Sequence, residues 1–161
     1  FHVHPMHSVG YLNDILRPAV DQGARLSNRT VDDLTLYAPV FAITGRTQAE
    51  TDAMECEIRR QISFYASTPN YRVLLEYHGL ESLGKELSAL MRKGEFAAMQ
   101  KLVPDELVEQ VAVVASPQEL PTKLRQRYEG VLDRVSLYFP LAKDAQESEW
   151  RAFVQAFKQT A

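Results

Sequence analysis

Leu34-Thr35-Leu36-Tyr37-Ala38-Pro39-Val40-Phe41-Ala42-Ile43 runs ten residues without a charge and is dominated by aromatic and branched side chains. A strand covered by helices on both faces needs this pattern, because neither face has to meet water. Pro39 lacks a ladder donor, so a local irregularity is expected near the middle of the strand.

Upstream, Phe1-His2-Val3-His4-Pro5 reads as the end of another strand. Tyr11, Leu12, Ile15, Leu16, Ala19 and Val20 then recur at helical spacing, which predicts a helix over 8–24 ending near Gly23. Downstream, Thr47-Gln48-Ala49-Glu50 has the spacing of a capping box and opens a long helix to about Ala66. Ser67-Thr68-Pro69 breaks it, and helical periodicity resumes in pieces to Gln110. Val111 to Ala115 is a short extended piece. Ser116-Pro117-Gln118-Glu119 forms a second capping box before a helix to about Glu129. Val135, Leu137 and Phe139 alternate with Arg134, Ser136 and Tyr138 as in a strand, and Pro140 stops it. Trp150, Phe153, Val154 and Phe157 mark one face of a terminal helix. Strands separated by helices imply parallel βα units.

Composition bounds the function. The chain has 161 residues, with 18 Lys+Arg against 21 Asp+Glu and a net charge of −3. At 45% hydrophobic and 24% charged it reads as one globular domain over 1–161. No basic cluster suggests nucleic acid, and no apolar run approaches the roughly 20 residues that cross a bilayer. The opening residues do not resemble a secretory signal, and the single Cys56 suits a reducing cytoplasm.

Few residues stand out for chemistry. His2 and His4 lie two apart, on one face of a strand, where two imidazoles can share a metal. The run His2 to Gly10 resembles the opening motif of metal-dependent phosphoesterases of the polymerase-and-histidinol-phosphatase type, although Val9 stands where that family has aspartate. A metal-dependent hydrolase using His2 and His4 is therefore one alternative; the other reading is histidines hydrogen-bonding at a strand end, with no metal. No Gly-x-Ser-x-Gly elbow, Gly-x-Gly-x-x-Gly or Walker sequence occurs. Cys56 lies among Glu55, Glu57 and Arg59 and reads as inert. Gln61 to Tyr71 places tyrosines, serines, a threonine and an asparagine around a helix break, either as a pocket wall or as core packing.

The opening Phe1 to Ser8, the run Asp33 to Phe41, the segment Gln61 to Tyr71, and Ala115 to Glu119 followed by Asp133 to Tyr138 together resemble the luciferase-like monooxygenase superfamily. The likeness is to its deazaflavin (coenzyme F420)-dependent oxidoreductases and covers the C-terminal half of that family. It implies an α/β fold, the C-terminal portion of a (β/α)8 TIM barrel, with about three parallel strands and a long helical insertion. On that template His2 to Ser8, Thr44 to Thr47 and Phe139 to Lys143 face the active-site rim. The implied activity is hydride transfer between C5 of F420 and a small organic substrate, with FMN as the alternative cofactor. The family's ring-binding and phosphate-tail elements would lie upstream, so no catalytic residue carries over and such a portion would be inactive by itself. His4 and His7 at the rim, with Tyr65, Tyr71 and His78 as pocket walls, are the candidate cofactor or substrate contacts. A non-catalytic half barrel binding a partner chain is a further alternative. Half a barrel would leave sheet edges open, so a homo-oligomer or pairing with the other half is expected.

Overall fold

The structure is a computed structural model that describes residues 1–141 and 144–159. Ser8 caps the first helix by accepting from the Tyr11 amide. Helix α1 (Val9–Tyr11) continues through a π-helical turn (Leu12–Leu16) into α2 (Arg17–Arg25), so the run passes Gly23 and ends one residue beyond the expected 8–24. A 3-10 turn (Val31–Asp33) leads to strand β1 (Tyr37–Ile43). Five helices follow: α3 (Gln48–Ala66), α4 (Arg72–Tyr77), α5 (Glu81–Lys93), α6 (Phe96–Leu102) and α7 (Asp105–Val111). Strand β2 (Ala112–Val114), helix α8 (Leu120–Tyr128), strand β3 (Arg134–Leu137) and helix α9 (Glu147–Gln159) complete the order.

The three strands form a parallel sheet in the order β2-β1-β3, with Phe41 opposite Ala112 and Val40 opposite Leu137. Parallel strands linked by helices, with the long helical crossover between β1 and β2, make an α/β architecture compatible with part of a luciferase-like barrel. In a closed barrel each strand neighbours the next along the chain. Here β3 takes the free edge of β1, where the Arg134 and Tyr138 amides donate to the Leu36 and Val40 carbonyls. That pairing satisfies backbone groups that would otherwise be left unpaired in the core.

Alternate residues of β1 enter two cores. Phe41 and Ile43 pack with Ile58, Ile62, Leu87, Leu107 and Val111 of the long crossover. Ala38, Val40 and Ala42 pack with Val3, Leu12 and the α8 residues Leu120, Leu124 and Tyr128. Burial on both faces explains why this run carries no charge.

Three expectations are corrected. The opening strand reduces to one bridge, His2 to Tyr37, after which the chain turns away. Pro39 causes no irregularity, since the register with β3 runs unbroken from Tyr37 to Val40. Tyr37 exchanges hydrogen bonds with Phe1 and Val3, so by alternation Pro39 turns its nitrogen to that same edge, between the departing N-terminal segment and the start of β2 pairing at Phe41. No ladder donor is needed there. The terminal helix α9 buries no residue: Phe153 and Phe157 pack partly on the second core, while Val154 is 45% exposed. Trp150 is half-buried rather than enclosed. Trp150→Ala should therefore lower stability by about 1 kcal/mol, well under the roughly 3–5 kcal/mol of a fully buried tryptophan. Urea unfolding monitored by circular dichroism measures this, and a loss above about 3 kcal/mol would place the indole in a core.

Candidate functional site

Tyr65 sits on the last turn of α3, and Tyr71 ends the 3-10 turn Pro69–Tyr71 that follows the break. The break is built from local bonds: the Ser67 and Thr68 hydroxyls donate to the Phe64 and Tyr65 carbonyls. These satisfy helix-end acceptors and turn the chain, so that both tyrosines meet one imidazole. The His4 ring lies 4.6 Å from Tyr65, edge-on, and 4.9 Å from Tyr71, while the two tyrosine rings are 5.4 Å apart. Tyr138, the first residue beyond β3, hydrogen-bonds the Tyr65 hydroxyl at 2.8 Å and packs its ring on Phe41 and Phe139. Burial and the Tyr138 hydroxyl push the Tyr65 phenol far above its ordinary range, and burial raises Tyr71 as well. Both phenols stay neutral, so the slot is aromatic and uncharged.

The other candidate histidines are placed differently. His7 is 1% exposed, its ring 5.7 Å from Tyr128, with Nδ1 donating to the His4 carbonyl at 2.7 Å. Burial draws it down to about 4, helped by the Arg127 charge and opposed by the bond to His4. Its Nε2 is buried and has no partner among the described residues. His78 bonds the Ser8 hydroxyl through Nε2 at 2.9 Å, and burial lowers it. Beside it, the Tyr77 hydroxyl donates to Asp14 at 2.6 Å. These two bonds pin the end of α4 to the start of the first helix. The fold thus brings His4, Tyr65 and Tyr71 together, ties His78 to Ser8 instead, and packs the His7 ring away from solvent.

A cavity of about 620 Å³ opens at the C-terminal ends of β1 and β3, walled by Thr44, Arg46, Ala53, Met54, Phe139 and Leu141. Its size falls within the roughly 300–1,000 Å³ of small-molecule sites. Thr44, Arg46 and Phe139 thus lie beyond the C-terminal ends of β1 and β3; Ala142 and Lys143 lie outside the described residues. Arg46 pairs with Glu50 at 3.0 Å, Asp144 at 2.8 Å and, more loosely, Glu149 at 3.9 Å, so one guanidinium faces three carboxylates and this side of the cavity carries net negative charge. The expected capping box is half-formed. Thr47 accepts from the Glu50 amide, but the Glu50 carboxylate takes the Arg46 amide and guanidinium instead of the Thr47 amide. Gly45 lets β1 turn into α3 at close range, because a Cβ there would lie 2.5 Å from the Thr51 nitrogen and 2.8 Å from the Glu50 carbonyl carbon. Gly45→Ala should cost about 1–3 kcal/mol in urea unfolding, since backbone must move to admit the methyl. An unchanged midpoint would show that the start of α3 yields freely.

Among the described residues no three or more His, Cys, Asp or Glu side chains group as metal ligands. His2 and His4 face different tyrosines, His2 lying 4.8 Å from Tyr37. No helix among the described residues is long and apolar enough to cross a membrane. Tyr138 was absent from the sequence-based candidates. The available signal was its position, since a residue just past a strand's C-terminal end faces the rim of a parallel α/β fold.

The model of the luciferase-like monooxygenase family matches residues 1–134. An uncharacterized protein of Mycobacterium bovis is 38% identical over 155 residues, covering 96% of this chain and 45% of the relative. Two uncharacterized proteins of Mycobacterium tuberculosis match with the same identity and coverage. The chain spans about half the length of the curated relatives it matches. A family match over most of its length, on a chain built of parallel strands joined by helices, leads to one conclusion: the chain belongs to the luciferase-like monooxygenase family.

Proposed function

We propose that this chain supplies one wall of the site of an F420-dependent oxidoreductase. The observation that carries the proposal is the neutral slot of His4, Tyr65 and Tyr71, set near strand ends in a luciferase-like chain. A flat, uncharged aromatic surface suits a planar heteroaromatic ring. When bound, the deazaflavin would exchange a hydride with an organic substrate at its C5. The residues of this chain would hold ring and substrate, with Met54, Phe139 and Leu141 on one side of the cavity taking an apolar substrate body and the charged Arg46, Glu50, Glu57 and Asp144 lining the rest. FMN is the alternative cofactor, because an uncharged aromatic wall suits either ring.

Fluorescence titration of F420, with FMN in parallel, tests this on the chain and on a form extended upstream to the length of the relatives. Micromolar binding of F420 to the extended form is the expected result. Preference for FMN would reassign the cofactor, and binding of neither would overturn the proposal.

Pairing with a second copy or with an upstream half is part of the same proposal, since β2 and β3 leave outer sheet edges open. Light scattering should detect association of the isolated chain. A strictly monomeric species that unfolds cooperatively would count against it.

A further inference from the structure

We infer that His4 is the hydrogen-bond donor through which the tyrosine slot recognises a carbonyl oxygen on its ligand, a role that rests on the reading of the slot as a ligand wall. The Met6 amide donates to His4 Nδ1 at 3.1 Å. A ring nitrogen that accepts an N–H cannot itself carry a proton, so the hydrogen of the neutral imidazole sits on Nε2. Tyr65 and Tyr71, in contact with each other, then hold the ring's orientation by packing against it. Nε2 has no hydrogen-bond partner among the described residues, and His4 is exposed to an incoming molecule. Burial lowers the affinity of His4 for a second proton, which keeps it a neutral donor near pH 7. The Tyr65 hydroxyl is already engaged with Tyr138. A backbone bond, two ring contacts and one unused N–H make a preorganised donor, which loses little freedom when it binds.

A carbonyl acceptor could come from two sources: the pyrimidine ring of a deazaflavin or flavin, or the substrate. Nitrogen-15 NMR of the histidine rings in the chain reports which nitrogen of His4 carries the proton, without any ligand. Protonation at Nε2 is expected, and protonation at Nδ1 would overturn the inference whatever the cofactor.

Binding of F420, FMN and acetophenone is then compared for the upstream-extended protein and its His4→Phe and His4→Gln variants. Phenylalanine keeps a ring against the tyrosines and loses the donor, whereas glutamine keeps an N–H near the position of Nε2. Affinity should fall about tenfold with phenylalanine and stay within about threefold with glutamine. A loss confined to F420 and FMN assigns the contact to the cofactor ring. A loss confined to acetophenone assigns it to the substrate carbonyl, and that result stands even if neither cofactor binds. Unchanged affinity for all three probes in His4→Phe, or no binding of any probe to the unsubstituted protein, would overturn the inference.

Discussion

Acidification from pH 7 to pH 4 should remove about 3 kcal/mol of stability through His7 alone. In the unfolded chain an imidazole takes its proton near pH 6.5. In the fold, burial at 1% exposure postpones that to about 4. Between these values the unfolded state binds more protons, so falling pH favours it. Above about pH 6.5 both states are neutral at this position and the contribution vanishes; below about pH 4 both are charged and the loss levels off. His4 and His78 are lowered by burial as well and act in the same direction. The carboxylates Asp21, Asp33, Glu50 and Glu119 are held below their ordinary values by hydrogen bonds, so their stabilisation is lost only at lower pH, as it falls through their folded values. Urea unfolding at half-unit pH steps should show the steepest decline between pH 6.5 and 4.5. His7→Asn keeps a donor for the His4 carbonyl but cannot titrate, so its curve should be much flatter there. A flat curve for the unsubstituted protein would mean that His7 is solvated.

Phe41→Ala should cost about 3–5 kcal/mol. Phe41 is fully buried, faces the α3–α7 core, and holds Tyr138 edge-on at 4.9 Å. Truncation leaves a cavity in the middle of the central strand, where β2 and β3 on either side restrict collapse. Tyr138 would lose its support and with it the bond that fixes the Tyr65 hydroxyl, so the slot should loosen together with the core. Phe41→Leu keeps most of the volume and should cost less than about 1.5 kcal/mol. Urea unfolding separates the two variants, and a loss under about 1 kcal/mol for alanine would show that the core closes over the gap.

Local chemistry was legible in the sequence wherever a residue type has few uses. The uncharged run before Gly45 became β1, and the Ser67-Thr68-Pro69 break became the turn between α3 and α4. The second capping box is present, with Ser116 and Glu119 bonding reciprocally, yet regular helix begins only at Leu120. The Phe1 to Pro5 run had strand composition but only one bridge, because strand length depends on a partner edge elsewhere in the chain.

The candidate site was half legible. His4, Tyr65 and Tyr71 were identifiable as residue types flanking a strand end and a helix break. That His4 joins the two tyrosines could not be read from a position 61 residues before Tyr65 and 67 before Tyr71. The burial of His7 and the pairing of Tyr138 with Tyr65, 73 residues away, were likewise outside any local signal.

By itself the sequence determined the α/β class, the break that carries the tyrosines and the likeness to luciferase-like monooxygenases. These follow from periodicity, turn chemistry and motif order, which act over a few residues or are read along the chain. The tertiary structure decided the strand order, the burial of His7, and the neutral state of the slot. Those depend on which distant backbone edges pair and which side chains lose water, and both arise only when remote segments of the chain meet.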